Sequence, residues 1–540
     1  MPRTKIPTKA ELIQLQRLYK TDEKIAERLG GVTAHLVAYW RRKKNVPRNT
    51  FPKFSEREVR DLWERFGDDY RCGLEIGISK AAFYNWRRKY NILEKPAFLK
   101  LEQLELNLDD SGRAAIRRAN YGRQTISQKI LAEKAEKAKV EPGETVSIEP
   151  DLAICDDNSS TVVKQFRELG VNFVWNPGRV IIVLNETGAD ITAERAADYF
   201  AVREFARRQN IKHFFDSREG ACHQIILERG QVLPGQFAAG SEQFAVAHGA
   251  IGSFAFNIGI AHMANLWAKG KVSLSTPRTV KVVMNGKMQE GVTAQDIALW
   301  FVANAKNGAW QGQAIEFYGS TVPMLSMSDR FNLAHQSATL GVHSAIFPFD
   351  AVTRRFLHGR TKMPYRPALA DKDAVYADEL ELTATTLTPQ IARVFGSGKV
   401  MPVEELLGTS VQKIILGSCA NGRFDDLKLA ADIIKGKKIH PDVRFYVLPG
   451  SRSVYLEALK KGLIRAFIEA GAIVMNPGAL HPPLDNFGFI AGGERCLASS
   501  YLSASPKAEA DSGELLVASP ATCAASALKG EIVHPASVVK

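Results

Sequence analysis

The segment "KIILGSCANGRFDDLKLAADIIKGKK", Lys413–Lys438, decides the fold class of this chain of 540 residues. An apolar run leads into a Gly-Ser-Cys turn, and apolar residues at helical spacing follow from Leu427 to Ile434. A short apolar run bounded by turn residues is typical of a buried strand, and the later spacing is typical of an amphipathic helix. The segment therefore predicts a strand, a loop that carries Cys419, and a helix.

The same scheme continues toward the C-terminus. "VRFYVLPGSRSVYLEALKKGLIRAFIEAG" (Val443–Gly471) has the pattern of a strand, a loop and helices, and "AIVMNPGALHPP" (Ala472–Pro483) opens a third strand and loop. Strands that alternate with helices form parallel sheets through right-handed crossovers. The loops "GSCANGR", "PGSR" and "NPGALHPP" then leave the carboxyl edge of one sheet, where open α/β folds bind ligands. We expect them to converge, although Gly and Pro in any single loop also serve to turn the chain.

Positive charge concentrates at the N-terminal end. Residues 1–100 hold 23 Lys and Arg against 12 Asp and Glu, which accounts for +11 of the chain's net +13. Within this end, "EKIAERLGGVTAHLVAYWRRKKNVP" (Glu23–Pro47) is echoed by "RCGLEIGISKAAFYNWRRKYNIL" (Arg71–Leu93). Each copy has the pattern of a helix, a glycine-containing turn and a second helix. The repeat predicts two tandem helix-turn-helix modules, with Trp40 and Trp86 in their cores.

The second helix of such a module lies in the major groove of DNA, where its basic residues reach phosphates and base edges. We therefore expect DNA as a partner of this region. The predicted DNA contacts are the basic residues that follow the two tryptophans: Arg41, Arg42, Lys43, Lys44, Arg87, Arg88 and Lys89. The alternative is that these residues are solvated helix ends, because cations are also favoured at helix C-termini.

The composition excludes several other classes of protein. Hydrophobic residues make up 45% of the chain and charged residues 24%, as in an ordinary globular protein. The apolar stretches are shorter than the roughly 18 residues that a membrane span needs, and "MPRTKIPTKAELIQLQ" has no apolar centre of a secretory signal. The six cysteines form no C-x-x-C pair, which argues against a disulfide framework and a zinc ribbon. These features predict a cytoplasmic protein with reduced thiols.

Seven segments together resemble one known family. They are "GRQTISQKIL", "EPGETVSIEPDLAI", "FFDSREGACHQIILERGQVLPGQF", "AIEFYGS", "LGSCANGRFDDLKLAADIIKGKK", "GGERC" and "ASPATCAASALKGEIVHP". The sequence resembles the aconitase superfamily, in particular the large subunit of 3-isopropylmalate dehydratase, over residues 125–540, about three quarters of the chain. The resemblance implies an α/β fold, an aconitase-like three-domain core with parallel sheets, preceded by a small all-α helix-turn-helix region.

The resemblance also implies a domain layout. We expect the tandem helix-turn-helix region at 1–95, a linker at 96–124, aconitase-like domains 1 and 2 at 125–400, and domain 3 at 401–540. The resemblance ends where the family's large subunit ends, and it does not include the swivelling domain that completes the active site in aconitases. The resemblance therefore implies a small swivel-domain subunit as a partner of any catalysis.

Members of this family dehydrate and rehydrate hydroxy acids with a four-iron, four-sulfur cluster held by three cysteines, whose fourth iron acts as a Lewis acid. The resemblance places one cluster ligand at Cys419 and the other two at Ala479 and Pro482, which offer no thiolate. We therefore expect no four-iron cluster and no other cofactor. Cys419 is the single retained ligand position, and His481 is the nearby residue that could serve a different metal.

Other reacting groups of the family are also replaced. The Asp-Ser-His-Thr segment is here "EQFA", with Glu242 for the aspartate and Phe244 for the histidine, and the glutamate expected after "NLAH" is Gln336. "YLSASPK" puts Leu502 and Lys507 where the arginines that clamp a carboxylate belong. The candidate acid or base groups are His223 and Glu242, and the candidate contacts to a carboxylate ligand are Asn421, Arg423, Ser451 and Arg495. Arg423 has an alternative use, an ion pair with Asp425 or Asp426.

Three functions fit these observations. The first is a cluster-free, aconitase-like DNA-binding regulator that senses a small carboxylate. The alternative is a hydro-lyase or isomerase that acts on isopropylmalate or a related hydroxy acid with altered metal chemistry, for which the unexpected histidines His262, His335 and His481 are possible ligands. The third is a non-catalytic partner subunit, which leaves the basic repeat without a use.

Overall fold

The structure is a computed structural model, and it divides into two compact units, Met1–Asn120 and Tyr121–Lys540. The residues that it describes are 6–19, 21–30, 32–47, 54–66, 69–76, 78, 80–92, 123–184, 192–217, 219–241, 243–305, 308–394, 399–478, 490–500 and 513–538.

The first unit repeats a set of three helices. The first set is α1 (Lys9–Tyr19), α2 (Asp22–Leu29) and α3 (Ala34–Lys43), and the second is α4 (Glu56–Phe66), α5 (Asp69–Glu75) and α6 (Lys80–Lys89). Threonine side chains cap α2 and α3 by accepting backbone N–H groups, as the residue before a helix commonly does. Trp40 is buried, and Trp86 is half-buried between Phe54 and Tyr90. The predicted small all-α region is confirmed.

Two of the predicted DNA contacts are wrong, because Arg41 and Arg87 are buried inside their helix sets. Arg41 is 6% exposed and donates to the two carboxylate oxygens of Asp22 at 2.8 and 2.7 Å. Arg87 is 8% exposed and binds Asp69 in the same way at 2.8 and 3.0 Å. Each arginine ties the third helix of its set to the second and does not reach an external phosphate. The other predicted contacts remain exposed or half-buried: Arg42, Lys43, Lys44, Arg88 and Lys89.

The second unit contains three sheets of four or more strands. The first strands are β1 (Thr145–Ile148), β2 (Leu152–Cys155), β3 (Val180–Val183), β4 (His213–Phe215), β5 (Phe237–Gly240), β6 (Phe254–Asn257) and β7 (Val272–Ser275). Five of them form a fully parallel sheet in the order β4-β3-β2-β5-β6, and β1 pairs with β7 in a separate antiparallel ribbon. Both β2 and β3 are buried along their whole length, as a parallel strand covered on two faces requires.

The second sheet is also fully parallel, in the order β10-β9-β8-β11. Its strands are β8 (Thr279–Asn285), β9 (Ala314–Tyr318), β10 (Ser344–Ile346) and β11 (Asp378–Thr383). A single apolar core joins residues of this sheet to residues of the five-stranded one, so the two sheets belong to one packed body.

The third sheet carries the loops predicted to converge. Its strands are β12 (Gln390–Arg393), β13 (Val400–Pro402), β14 (Lys413–Gly417), β15 (Arg444–Leu448), β16 (Ile473–Val474), β17 (Arg495–Ala498) and β18 (Glu514–Ala518). The order is β13-β12-β18-β17-β14-β15-β16, parallel throughout except that β12 runs antiparallel to both neighbours. The predicted strands β14, β15 and β16 are parallel neighbours, which confirms the α/β fold class.

Helices and one long 3-10 segment cover these sheets. They are α7 (Ile126–Lys134), α8 (Ser159–Glu168), α9 (Ala193–Arg208), α10 (Cys222–Glu228), the 3-10 segment Gln243–Ile251, α11 (Gly259–Lys269), α12 (Ala294–Asn304), α13 (Met327–Ser337), α14 (Ala351–Leu357), α15 (Ser418–Asn421), α16 (Phe424–Ile434), α17 (Arg452–Lys460), α18 (Leu463–Ala470) and α19 (Pro520–Lys529). The capping box expected from "TISQ" starts α7, with Thr125 and Gln128 bonded reciprocally. Within the described ranges, no helix has the length and apolar content that crossing a membrane requires.

Candidate functional site

Two loops meet at the carboxyl edge of the third sheet, as the sequence predicts. The strands β14 and β15 end side by side at Gly417 and Leu448. Gly450 N–H donates to Gly422 O at 2.7 Å, which joins the loop that carries Cys419 to the "PGSR" loop. A Cβ atom on Gly417 would lie 1.9 Å from Leu448 O, so only glycine allows this approach. The third predicted loop begins beside them, where Gly478 N–H donates to Pro449 O at 3.2 Å, and its residues 479–489 lie outside the described ranges.

Cys419 stands at this edge and is partly exposed, whereas the other five cysteines of the chain are buried. Each of the five lies in a different element: Cys72 in α5, Cys155 in β2, Cys222 at the start of α10, Cys496 in β17 and Cys523 in α19. Burial raises the pKa of the Cys496 thiol to about 12, and it also raises the pKa of Cys155 and Cys523. In the described part of the chain, no group of three His, Cys, Asp or Glu side chains is placed to hold a metal ion.

Asn421 is buried in a network of side-chain amides. Its Nδ2 donates to Gln295 Oε1 at 2.9 Å and to the backbone carbonyl of Ser499. The same Gln295 oxygen also accepts from Asn332 at 2.9 Å and from Gln336 at 3.3 Å. Because one acceptor serves three amides, the network fixes the loop that carries Cys419 against α12 and α13. The amide of Asn421 is therefore used to position the loop.

Arg423, a predicted contact to a carboxylate ligand, is 4% exposed. Its guanidinium donates to the carbonyls of Cys419 and Ala420, lies 3.7 Å from Asp426, and stacks on Phe331 at 4.2 Å. Burial lowers the pKa of Arg423 and raises the pKa of Asp426 to about 7. The predicted alternative, an ion pair with Asp426, is confirmed. Its Nε is buried and has no hydrogen-bond partner among the described residues.

Ser451 connects the third sheet to α10. Its Oγ donates to the carboxylate of Glu228 at 2.8 and 2.9 Å and accepts the N–H of Val454, which caps α17. Gly220 forms a β-bridge with Ser451, and Ala221 N–H donates to Gly450 O at 2.9 Å. Burial raises the pKa of Glu228. Because the hydroxyl of Ser451 is used by Glu228 and by the cap of α17, the structure contradicts its prediction as a contact to a carboxylate ligand.

His223 follows this bridge on α10 and faces two further histidines. Its ring centroid lies 5.9 Å from that of His248, 5.9 Å from that of His335 and 6.0 Å from that of Phe244. Phe244 and His335 stack face to face at 4.3 Å. Burial lowers the pKa values of His248 and His335 to about 3, so both imidazoles are neutral at physiological pH. The structure thus brings the predicted His223 together with His335, which the resemblance does not predict.

Arg495 does not belong to this site, and its prediction as a ligand contact is wrong. It is the first residue of β17, and its neighbour Cys496 pairs with Lys413 at the start of β14. Cys419 follows the opposite end of β14. Arg495 Nε binds Glu514 at 2.5 Å and its Nη1 donates to Ser410 O at 2.7 Å. The residue closes the amino edge of the sheet.

Several predicted residues lie outside the described ranges: Glu242, Ala479, His481, Pro482, Leu502 and Lys507. His262 is exposed on α11. Two residues of the site were missed by the sequence analysis, Glu228 and Gln295. Gln224 and Glu228 are four residues apart in "CHQIILE" and share a helix face with one another, a signal that would have drawn attention to Glu228. Gln295 has no comparable signal, because its three partners come from distant segments.

Comparisons with known proteins cover the second unit. The family model described as the aconitase family (aconitate hydratase) matches residues 128–410 and 404–530. The 3-isopropylmalate dehydratase large subunit 1 of Methanopyrus kandleri is 36% identical over 413 residues, 76% of this chain and 99% of that protein. A probable methanogen homoaconitase large subunit of Methanothermobacter thermautotrophicus is 33% identical over 418 residues, 76% of this chain and 98% of that protein.

One solved structure is similar at a lower level. The holo-form of aconitase X from Thermococcus kodakaraensis covers 73% of this chain and 92% of its own, with a TM-score of 0.41 and 14% identity. The family model spans well over half of the chain, and the relatives named above exceed 30% identity over nearly their whole length. The chain therefore belongs to the aconitase family, with the 3-isopropylmalate dehydratase large subunits among its relatives.

Proposed function

We propose that the protein is the large subunit of a two-chain hydro-lyase that acts on a hydroxy-carboxylate of the isopropylmalate type. The observation that carries the proposal is the coverage of the relatives: a 3-isopropylmalate dehydratase large subunit is matched over 99% of its length at 36% identity. The relatives are named large subunits, so we propose a small swivel-domain subunit as the partner chain.

The donor set does not fit a cluster held by three thiolates. Cys419 is the one cysteine at the carboxyl edge of the third sheet, and the remaining five are buried elsewhere. Residues 479–489 contain no cysteine. We therefore propose that the protein works without a four-iron, four-sulfur cluster, and no step is derived through one. A single metal held by Cys419 and His481 is the alternative that a metal analysis tests.

The chain's own residues supply binding and orientation. The rings of His223, His248 and His335 form one cluster, and Arg423, which follows the loop that carries Cys419, brings a buried positive charge close to His335. Positive charge in a buried site favours a carboxylate, because few water molecules compete for it. We propose His223 and Glu242 as the groups that move a proton to or from the substrate carbon or hydroxyl.

The proposal is tested by turnover in the presence of a small subunit. The chain is co-expressed with a small subunit of a 3-isopropylmalate dehydratase and purified without oxygen, and conversion of 2-isopropylmalate is followed with iron and sulfide analysis of the same sample. We expect conversion with at most about one iron per chain, since a family cluster held by three cysteines carries four. Absence of both conversion and substrate binding overturns the proposal, and a stoichiometric cluster overturns its cluster-free part.

A second candidate function, DNA binding, concerns the first unit. The observation that favours it is the repeat: both helix sets place exposed basic residues at the end of the third helix, Arg42 and Lys43 in α3, Arg88 and Lys89 in α6. Because Arg41 and Arg87 are fixed inside, the neighbouring cations are held on one outer face of each helix. We propose that these two faces bind nucleic acid phosphates and that the chain regulates a gene in response to its ligand.

A further inference from the structure

Buried polar atoms without partners gather around Phe331. The guanidinium carbon of Arg423 lies 4.2 Å from the ring centroid of Phe331, and the rings of His248 and His335 each lie 6.4 Å from it. The three polar residues are 4%, 0% and 1% exposed. Arg423 Nε and both ring nitrogens of His248 and His335 have no hydrogen-bond partner among the described residues.

A buried donor or acceptor without a partner costs folding free energy, so a protein retains such a group where a partner arrives from outside. Each neutral imidazole offers one donor and one acceptor, and Arg423 Nε–H offers a donor. A hydroxyl group uses both properties of an imidazole, and a carboxylate uses the guanidinium. The nearby positive charge of Arg423 disfavours a metal cation at the same point. The set of free atoms therefore matches a hydroxy-carboxylate.

The position of His335 suggests an exchange of rings. Phe244 stands where the resemblance to 3-isopropylmalate dehydratases expects a histidine, and His335 stands where it expects none. The two rings are parallel to within 3° and lie 4.3 Å apart, so they occupy neighbouring places in one stack. The stack thus contains one imidazole, at position 335 and not at position 244 where the resemblance implies one.

We propose that His335 replaces the histidine lost at position 244 and, together with His248 and Arg423, binds the hydroxyl and carboxylate of the ligand. The inference rests on the proposed function for the ligand class. It assigns His335 a role in positioning the ligand. This role depends on the exchange with Phe244, which is a feature of this chain.

The exchange can be reversed in the full-length chain. We compare the parent with His335→Phe, Phe244→His and the double variant that carries both changes. Binding of 2-isopropylmalate is measured by calorimetry, with isopropylsuccinate as the probe that lacks the hydroxyl. We expect His335→Phe to weaken binding of 2-isopropylmalate by about tenfold, the value of one lost hydrogen bond. The double variant should recover to within about threefold of the parent, because it returns one imidazole to the stack.

A second measurement needs no ligand. Replacing His335 with Phe removes two unpartnered buried atoms, so Tm of the ligand-free chain should rise by about 2 °C. Exposed His262→Phe is the control and should leave Tm unchanged. A fall in Tm, or a folded His335→Phe variant that binds 2-isopropylmalate as tightly as the parent, overturns the inference. A parent chain that binds neither probe overturns the proposed ligand class instead, and the Tm of His335→Phe still decides whether its imidazole lacks an internal partner.

Discussion

Ser451 and Glu228 join the third sheet to α10, because Ser451 Oγ lies within 2.8 and 2.9 Å of the two carboxylate oxygens of Glu228. Burial raises the pKa of Glu228, and the hydrogen bonds from Gln224 and Ser451 lower it. The hydroxyl of Ser451 therefore favours the ionised form of a buried carboxyl group at the point where two parts of the second unit meet.

Ser451→Ala should destabilise the chain, and more so at neutral than at acid pH. The pKa of Glu228 in the folded chain is raised above 4.5, the ordinary pKa of a glutamate. The free energy of unfolding therefore falls as the pH rises above 4.5. Loss of the hydroxyl raises that pKa further, so we expect a cost of about 2 kcal/mol at pH 7.5 and less near pH 4.5. Urea unfolding at both pH values measures it, with exposed Lys460→Ala as the control. An equal cost at both values would contradict the coupling.

The two buried histidines should make the chain sensitive to acid. Burial lowers the pKa values of His248 and His335 from 6.5 to about 3. The unfolded chain then takes up protons that the folded chain refuses, so stability is complete above about pH 6.5 and is lost as pH falls toward 3. His248→Asn should reduce this slope by about one proton, or about 1.4 kcal/mol per pH unit between pH 4 and 6. Exposed His262→Asn should leave the slope unchanged, and a slope insensitive to His248→Asn would show that its imidazole is already charged in the folded chain.

Removal of Arg41 should unfold the first helix set. Arg41→Met leaves Asp22 charged and without its partner, and breaking one side of a buried pair typically costs about 3–5 kcal/mol. Hydrogen exchange of the α2 and α3 amides in the full chain measures the loss, and α5 and α6 serve as the internal reference because their own pair, Arg87 with Asp69, is intact. Exposed Arg57→Met is the matched control. Unchanged protection of α2 and α3 would mean that the pair is not needed for folding.

The DNA-binding candidate predicts a salt-dependent loss. A variant with Arg42, Lys43, Arg88 and Lys89 changed to Ala should bind a 30-base-pair duplex at least about 100-fold more weakly at low salt, and the slope of log K against log salt should fall by about 3 to 4. Fluorescence anisotropy at several salt concentrations measures both. A control variant removes an equal number of exposed cations from the second unit. Equal binding by both variants would exclude these helices as the DNA contact.

Cys419 should be the one readily labelled thiol of the native chain. It is partly exposed, whereas the other five cysteines are buried and every cysteine is free of disulfides. Titration with an aromatic disulfide reagent should report one reactive thiol in native buffer and six in denaturant, and Cys419→Ser should remove the native one. Several fast-reacting native thiols would contradict the placement of the remaining five.

The sequence predicts the third sheet well because strands, loops and helices alternate there with clear periodicity. It also predicts that "GSCANGR" and "PGSR" meet, since parallel strands send their following loops to a shared edge. It fails at Arg495, because the resemblance of a short segment such as "GGERC" to a family does not reveal which end of a strand the segment occupies. Arg495 lies at the start of β17, and its partner Glu514 comes from the next strand in the sheet.

Burial is the property that the sequence did not reveal in the basic repeat and in the loop that carries Cys419. Arg41, Arg87 and Arg423 lie in polar stretches of sequence. The spacing of neighbouring residues does not distinguish a solvated arginine from a buried one that pairs with an aspartate. The stacking of the Phe244 and His335 rings could not be predicted from the sequence either, because the two residues are far apart in the chain and belong to different elements. Such contacts depend on tertiary packing alone.

The close approach of Gly417 and Gly422 to the backbone of the neighbouring loop has a consequence for how this chain changes over time. A Cβ atom on Gly422 would lie 2.4 Å from Ser418 O and 2.7 Å from Leu448 O. The backbones of the two loops are therefore in direct contact here. The contact between the two loops at this edge of the sheet thus depends on two glycines. It does not depend on which reactive side chains the loops carry. Reactive side chains at this edge can therefore be exchanged while these backbone contacts persist, whereas an alanine at either glycine would force the two loops apart.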